Sequence, residues 1–301
     1  MEAPPIPPWF TEATAVVPED RTVRVKGTDI HYLRWGEADR PGIVFVHGGA
    51  AHAQWWSFIA PFLAQQHHVI AVDLSGHGDS GRRAFYAIET WADEVIGCAA
   101  DCGMSRPVLV GHSMGGLVTI AAANLHGESL AGGVVIDSPV HRPDPESEEG
   151  ERGRMFRNPK TYPDLETAVE HFHLQPPQPV TNPYIVDFVA RRSLRQAPGG
   201  GGWTWKFDAK VFERHRQGIA DYLAEVHCRI AVFRGQHSPL VTPDVQEYID
   251  ELLGRSSPIV EIPAAYHHVP LDQPLALVAA LRAILADWEH SIPRKRLGRP
   301  D

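Results

Sequence analysis

The chain has 301 residues, of which 43% are hydrophobic and 22% are charged, and its formal net charge is -9. This length and composition are typical of a soluble globular protein with one large domain or two small ones. The negative charge argues against a nucleic-acid partner, because phosphate binding needs a dense basic face. A short cationic run, Arg294–Arg296 with Arg299, is expected to be a solvated terminus.

Several features predict a cytoplasmic protein that has no membrane partner. The Pro-rich start lacks the basic and apolar regions of a signal peptide, and no apolar stretch reaches the roughly 20 residues that span a bilayer. Cys98, Cys102 and Cys228 do not make a disulfide framework and favour a reducing compartment. Cys98 and Cys102 are interpreted as small buried side chains rather than as a redox pair.

Short runs rich in Val and Ile predict strands that are buried on both faces of a sheet. The first two are expected to form an antiparallel edge. In chain order the predicted strands are Thr22–Val25, Ile30–Trp35, Ile43–Val46, Val69–Val72, Val108–Val110, Gly133–Ile136, Ile230–Phe233 and Ile259–Ile262. The predicted helices between them are Trp55–Gln65, Ile88–Asp101, Met114–His126, Pro243–Leu253 and Pro274–His290. This alternation predicts an α/β fold with a mostly parallel, eight-stranded sheet flanked by helices.

One interval, from Pro139 to about Trp205, contains no core strand and is rich in Pro, Gly and charge. So long an insertion is usually functional, and we expect a helical lid after the sixth strand, closed by a flexible joint at Gly199–Gly202. A disordered surface loop is the alternative, which the charged run 146–154 suits. Aromatic side chains favour the lid: Phe156, Phe172, Tyr184, Phe188, Trp203 and Trp205. The predicted division is core 1–138, lid 139–205 and core 206–301.

The pentapeptide Gly111–Gly115 has the pattern G-x-S-x-G, with Ser113 at its centre. It follows a predicted strand directly and opens a predicted helix, which is the setting of a nucleophile elbow. Small residues must flank so tight a turn, and the turn pushes the hydroxyl of Ser113 out of the sheet. The alternative, a Gly-rich helix start with an incidental serine, is disfavoured by this setting.

A second loop, His47-Gly48-Gly49, follows the strand Ile43–Val46. A tetrahedral intermediate carries an oxyanion, which two fixed N–H donors stabilise. We expect these donors to be the backbone N–H groups of Met114 and Gly49, with Gly48 lining the substrate site and His47 bracing the loop. Trp55 and Trp56 follow this loop and are either substrate contacts or core residues, with equal support.

Over Val23–Trp288 the sequence resembles α/β-hydrolases with a cap domain. The resemblance rests on three segments besides the Gly111–Gly116 elbow: His47-Gly48-Gly49, the turn Asp73–Ser80, and His267 followed by Asp272-Gln273-Pro274. It implies a serine hydrolase whose base is His267 rather than His268. The pattern around His47–His52 and Trp55-Trp56 resembles bacterial carboxylesterases that act on aromatic monoesters.

The sequence departs from this family at the third member of the triad. The acid usually follows the strand that corresponds to Ile230–Phe233, three residues after a Gly, and Ser238 stands at that position. The best replacement is Asp137, because it ends the strand after the elbow strand and should emerge at the same sheet edge as Ser113. Asp137 could instead cap the turn before Pro139, and Asp244 is a weaker alternative. Asp73 and Asp79 are interpreted as structural.

The sequence therefore predicts a hydrolase that cleaves a carboxylic ester of a small, largely apolar molecule through an acyl-enzyme on Ser113. Lactone, amide and C–C bond hydrolysis and perhydrolysis use the same elbow and stay open. Haloalkane dehalogenases and epoxide hydrolases are disfavoured because they carry Asp at this position. A ligand receptor with slow or no turnover is the contrasting class, which Ser238 keeps open. No cofactor motif and no metal-ligand spacing are present, so no cofactor and no metal are expected. The oligomeric state is not predicted.

Overall fold

A computed structural model describes residues 5–142, 160–213 and 218–291. Its strands are β1 (Glu19–Val25), β2 (Thr28–Trp35), β3 (Gly42–Val46), β4 (His68–Val72), β5 (Val108–His112), β6 (Gly132–Ile136), β7 (Leu194–Gln196), β8 (Trp203–Trp205), β9 (Arg229–Gly235) and β10 (Ile259–Ile262). Eight of them form one sheet in the order β1-β2-β4-β3-β5-β6-β9-β10. The strand β2 is antiparallel to both β1 and β4, and the other neighbours are parallel. The predicted α/β fold, with its antiparallel edge, is confirmed.

The helices differ from prediction mainly near the start of the chain. They are α1 (Pro8–Thr14), α2 (Ala60–Ala64), α3 (Ile88–Asp101), α4 (Met114–Leu125), α5 (Leu165–Glu170), α6 (Pro183–Arg192), α7 (Ile219–Ala224), α8 (Pro243–Leu252), α9 (Val269–Asp272) and α10 (Pro274–His290). The single helix predicted over Trp55–Gln65 is wrong. A 3-10 turn, Ala53–Trp56, precedes α2, whose first turn contains Pro61. Proline lacks the N–H that a continuous helix would need at that point.

Two hydrophobic clusters cover the two faces of the sheet, because successive side chains of a strand point to opposite faces. Along β3, Val44 and Val46 belong to one cluster, whereas Ile43 and Phe45 belong to the other. The helices α3, α4, α7 and α8 cover the first face, and α1, α2 and α10 cover the second. None of the helices in the described ranges is long and apolar enough to cross a membrane.

The segment between β6 and α7 differs in two ways from the predicted helical lid. Besides α5 and α6 it contains the antiparallel hairpin β7–β8. Gly199–Gly202 is not a joint between lid and core but lies in the loop of this hairpin, where Gly199, Gly200 and Gly202 have φ of 85°, 78° and 122°. Glycine adopts these angles without strain, so the run turns a hairpin. The charged run 146–154, Phe156 and the basic run 294–299 lie outside the described residues.

The described part of this segment, residues 160–213, contacts loops that follow the carboxyl ends of the strands. The side chain of Asn182 donates to the carbonyl oxygens of Leu271 (2.8 Å) and Asp272 (3.0 Å), after β10. Lys206 pairs with Asp79, after β4, at 2.7 Å. The segment therefore lies at the carboxyl edge of the sheet, where ligands of α/β folds bind. The cap boundaries stay a prediction.

Candidate active site

Ser113 lies in the tight turn between β5 and α4, with φ of 55° and ψ of -119°. A positive φ is strained for any residue other than glycine and is typical of a nucleophile elbow. The backbone around it is so close that a Cβ at Gly111 would lie 2.1 Å from the carbonyl oxygen of Gly115, and one at Gly115 would lie 2.3 Å from that of Val46. The elbow therefore requires both glycines, and it leaves Ser113 partly exposed at the sheet edge.

The structure brings Ser113, His267 and Asp137 into one chain of hydrogen bonds. His267 lies between β10 and α9, and its Nε2 is 3.0 Å from Oγ of Ser113. Its Nδ1 is 2.7 Å from Oδ2 of Asp137, which is fully buried. Because a carboxylate only accepts, Nδ1 carries the proton and Nε2 presents a lone pair to the Ser113 hydroxyl. This is the geometry of a nucleophile, a base and an orienting acid.

Ser238, at the usual position of the acid, and Asp137, its expected replacement, are hydrogen-bonded to each other. Oγ of Ser238 donates to Oδ2 of Asp137 at 2.6 Å and accepts from the backbone N–H groups of Leu240 (3.2 Å) and Val241 (3.1 Å). The other oxygen of Asp137 accepts from the N–H of Gly235 at 2.9 Å. Ser238 therefore contacts the carboxylate rather than the imidazole. Asp244 bonds instead to Thr242 at the exposed start of α8.

The loop predicted to hold the oxyanion lies beside the nucleophile. A Cβ built on Gly48 would lie 3.3 Å from Cβ of Ser113, and one on Gly49 would lie 3.9 Å from Sδ of Met114. Within the described part of the chain, the N–H groups of Gly49 and Met114 donate to no other group. Their role as oxyanion donors stays a prediction that this arrangement permits.

Hydrogen bonds of His47 and Asp73 hold this loop and the residues that follow it in place. Nδ1 of His47 donates to the carbonyl oxygen of Gly48 (2.7 Å), and its Nε2 accepts from the N–H of Leu74 (3.1 Å), as expected for a bracing residue. Asp73 is buried and accepts from Nδ1 of His31 (2.7 Å) and the N–H of Ala53 (2.6 Å). Burial alone would raise the pKa of Asp73, but the His31 hydrogen bond and nearby imidazoles lower it well below its usual value. Asp73 is thus structural.

The two tryptophans after this loop have different surroundings. The ring of Trp56 stacks on Phe45 with centroids 4.4 Å apart, and its side chain is almost fully buried. Of the two alternatives that the sequence left open for Trp56, this packing favours the core residue. Trp55 is also buried, but its ring centroid lies 5.7 Å from that of His268, beside the base. Its contact with substrate stays a prediction.

Sequence reasoning missed two buried histidines that flank the base. Nε2 of His112 donates to the carbonyl oxygen of His267 at 2.9 Å, and burial lowers the pKa of His112 to about 3. Burial, and then the nearby imidazoles of His267 and His112, hold the pKa of His268 well below its usual value. His112 occupies the variable position of the pentapeptide, so the motif gives no signal for it. The sequence offers His268 only as an alternative base.

The chain belongs to the alpha/beta hydrolase family, whose model matches residues 43–281. The uncharacterized hydrolase YugF of Bacillus subtilis (strain 168) is 32% identical over 105 residues, which are 34% of this chain and 38% of YugF. The sn-1-specific diacylglycerol lipase ABHD11 of Mus musculus is 25% identical over 263 residues, 83% of each chain. The chain thus spans less than half of YugF but most of ABHD11.

A solved structure shows the same fold over nearly the whole chain. E-2-(acetamidomethylene)succinate hydrolase superposes with a TM-score of 0.79 at 21% identity, covering 89% of this chain and 99% of that one. Family membership and the names of these relatives support a hydrolase.

Proposed function

We propose that this protein hydrolyses a carboxylic ester of a small, largely apolar molecule in the cytoplasm, through an acyl-enzyme on Ser113. The observation that carries the proposal is the chain of hydrogen bonds from Ser113 through His267 to the buried Asp137. A serine hydroxyl is a weak nucleophile unless an oriented base takes its proton. The cytoplasmic location is supported by the three cysteines, Cys98, Cys102 and Cys228, which form no disulfide bond.

The proposed reaction uses each of these groups at a stated atom. Oγ of Ser113 attacks the ester carbonyl while Nε2 of His267 takes its proton and then gives it to the leaving alcohol. Asp137 stabilises the imidazolium that forms, and the N–H groups of Gly49 and Met114 hold the oxyanion. Water, activated by the same imidazole, then attacks the acyl carbon and releases the acid and Ser113.

Aromatic side chains near the loop favour an apolar substrate group. The ring of Phe212 lies 3.2 Å from the position a Cβ of Gly49 would take, and it meets Phe207 edge-on at 6.0 Å. The ring of Trp55 lies 5.7 Å from that of His268, the residue next to the base in the chain. Rings of this kind line pockets for apolar acyl or alcohol groups.

Amide hydrolysis is a second candidate function. The structural relative E-2-(acetamidomethylene)succinate hydrolase has a substrate name that contains an acetamide group. The same nucleophile, base and oxyanion donors serve an amide, provided that His267 protonates the leaving nitrogen. Paired esters and amides with the same acyl group separate the two candidates by their kcat/KM values.

The first test is labelling by a fluorophosphonate, which requires no knowledge of the substrate. We expect one adduct per chain, located on Ser113 by mass spectrometry, and no adduct in Ser113→Ala. Ser129→Ala, which removes a surface hydroxyl that bonds His126, is the control and should label normally. A folded protein that does not label, or that labels on another serine, would contradict the proposal and favour a ligand receptor.

A further inference from the structure

Three buried histidines meet at the carboxyl edge of the sheet. His112, His267 and His268 each offer a ring nitrogen, and these nitrogens lie within 4.8 Å of one another. The exposed fractions of the three side chains are 2%, 2% and 6%. The proposed reaction uses only one of the three imidazoles, so the other two need a separate explanation.

Hydrogen bonds already fix two of these rings in the form that binds a metal. Nδ1–H of His267 donates to Asp137, which leaves the lone pair of Nε2 directed at Ser113. Nε2–H of His112 donates to the carbonyl oxygen of His267, which leaves the lone pair on Nδ1. A ring N–H held by a carboxylate or a backbone carbonyl, with the other nitrogen free, is the usual arrangement behind a metal-ligating histidine.

The third ring has an unused nitrogen. Nδ1 and Nε2 of His268 are both buried and make no hydrogen bond of good geometry within the described ranges, and only the backbone of Gln175 lies near enough for a weak bond to one of them. Leaving a buried donor or acceptor unpaired is unfavourable, so such a group calls for a ligand, a water or an ion.

We propose that His112, His267 and His268 form a binding site for a divalent transition metal, of the class Zn²⁺, Cu²⁺, Ni²⁺ or Co²⁺, and that the bound metal inhibits the enzyme. Imidazole nitrogens suit these ions, whereas Mg²⁺ and Ca²⁺ prefer oxygen ligands. A tetrahedral Zn²⁺ with bonds of about 2.0–2.1 Å needs its nitrogens about 3.3–3.4 Å apart, so the rings must move together slightly. Water or Oγ of Ser113 completes the tetrahedron.

Inhibition follows from the atom that the metal occupies. Nδ1 of His267 is committed to Asp137, so the metal binds Nε2, the nitrogen that must take the proton of Ser113. A coordinated lone pair cannot accept that proton. This loss of turnover rests on the proposed hydrolase activity, whereas metal binding itself does not.

The first experiment titrates the tag-free, chelator-treated protein with Co²⁺ and follows the visible absorption of tetrahedral cobalt. We expect one Co²⁺ per chain, displaced by Zn²⁺. His268→Leu keeps the volume of the side chain but removes both nitrogens, and it should weaken binding at least about 10- to 100-fold, the loss caused by removing even an outer partner of a ligand. His290→Gln, an exposed histidine at the end of α10, is the matched control and should bind normally.

A second variant and a second readout complete the test. His112→Gln keeps an N–H donor for the His267 carbonyl but lacks the imidazole lone pair, so it should also bind Co²⁺ weakly. In assays of ester turnover, Zn²⁺ should inhibit the wild type and Mg²⁺ should not. The Zn²⁺ concentration that halves the turnover rate should be at least about tenfold higher for His268→Leu, with each protein compared with its own uninhibited rate.

The possible failures are distinguishable. Unchanged Co²⁺ affinity in folded His268→Leu and His112→Gln, or affinity lost only in His290→Gln, would overturn the metal site. Ser113→Ala should still bind Co²⁺. If no ester is turned over but cobalt binds at these histidines, the proposed function fails and the metal site stands.

Discussion

At the scale of single residues, the nucleophile and the acid are both held in strained backbone conformations. The φ angles of Ser113 and Asp137 are 55° and 48°, a region that costs about 1–3 kcal/mol for residues other than glycine. Each residue is fixed by a hydrogen bond from its own N–H to the neighbouring strand, Ser113 to Ile136 (2.9 Å) and Asp137 to Phe233 (2.8 Å). The sheet edge thus holds both side chains within hydrogen-bond distance of His267.

The first prediction separates the roles of the two hydrogen-bonded residues at the acid position. Asp137→Asn should lower kcat for an activated ester by about 10⁴-fold, as the same change does in other Ser-His-Asp triads. Ser238→Ala should lower it about tenfold or less, because it removes only a neutral hydrogen bond to Asp137. Asparagine tolerates a positive φ, so the first variant should fold. A larger loss in Ser238→Ala would refute the assignment of Asp137.

At the scale of elements, the elbow depends on direct backbone contact between the strand β5 and the helix α4, which only glycine permits at Gly111. Besides Gly115, a Cβ at Gly111 would approach Thr119, with only 2.4 Å to its Oγ1. The helix α4 can therefore begin at Met114, directly after the nucleophile and packed against β5.

The second prediction concerns the stability of this element pair. Gly111→Ala should lower the free energy of unfolding by about 3 kcal/mol, because the added methyl meets backbone that cannot move aside. Gly201→Ala, in the β7–β8 hairpin loop, is the matched control: its Cβ would meet nothing within 4 Å, so the change should stay within about 0.5 kcal/mol. Urea unfolding measures both. Equal effects would mean that the elbow is less tightly packed than described.

At the scale of the whole molecule, buried histidines make stability depend on pH. Burial lowers the pKa of His52 to about 4 and that of His112 to about 3, and it holds that of His268 well below its usual value. The unfolded chain takes up these protons near pH 6.5, whereas the folded chain does not. Above pH 6.5 these histidines are neutral in both states and do not change the stability with pH. As the pH falls below 6.5, proton uptake by the unfolded chain destabilises the fold. His31 opposes it, since Asp73 raises the pKa of His31 despite burial.

The third prediction follows from this balance. Between pH 8 and pH 5 the free energy of unfolding should fall by about 2 kcal/mol for each histidine whose folded pKa lies below 5, since one pKa unit corresponds to about 1.4 kcal/mol. Urea unfolding at both pH values should therefore show a smaller fall in His268→Leu than in the wild type, because burial holds the pKa of His268 well below its usual value. In His290→Gln the fall should be unchanged. An equal fall in all three proteins would mean that His268 is protonated in the folded state.

The sequence could predict those parts of the molecule that depend on local patterns. Continuous Val and Ile runs predict the buried parallel strands, and the strand-turn-helix setting identifies Ser113. Asp137 could be proposed because it ends a strand at the same sheet edge. Contacts between distant segments leave no such pattern. The stacking of Trp56 on Phe45, the bond from Ser238 to Asp137 and the grouping of three histidines all depend on tertiary packing.

The hydrogen bond between Ser238 and Asp137 has a consequence for how the triad can change over time. Two adjacent strand ends meet at Oδ2 of Asp137, which lies 2.6 Å from Oγ of Ser238 and 2.7 Å from Nδ1 of His267. We therefore expect that a carboxylate at position 238 can replace that of Asp137 without displacing the imidazole. The N–H groups of Leu240 and Val241 that now bond the Ser238 hydroxyl would receive a carboxylate there. We expect Asp137→Asn combined with Ser238→Asp to recover at least about tenfold of the kcat lost in Asp137→Asn alone. Such exchange would let a lineage relocate its acid in two substitutions while the remaining machinery stays in place.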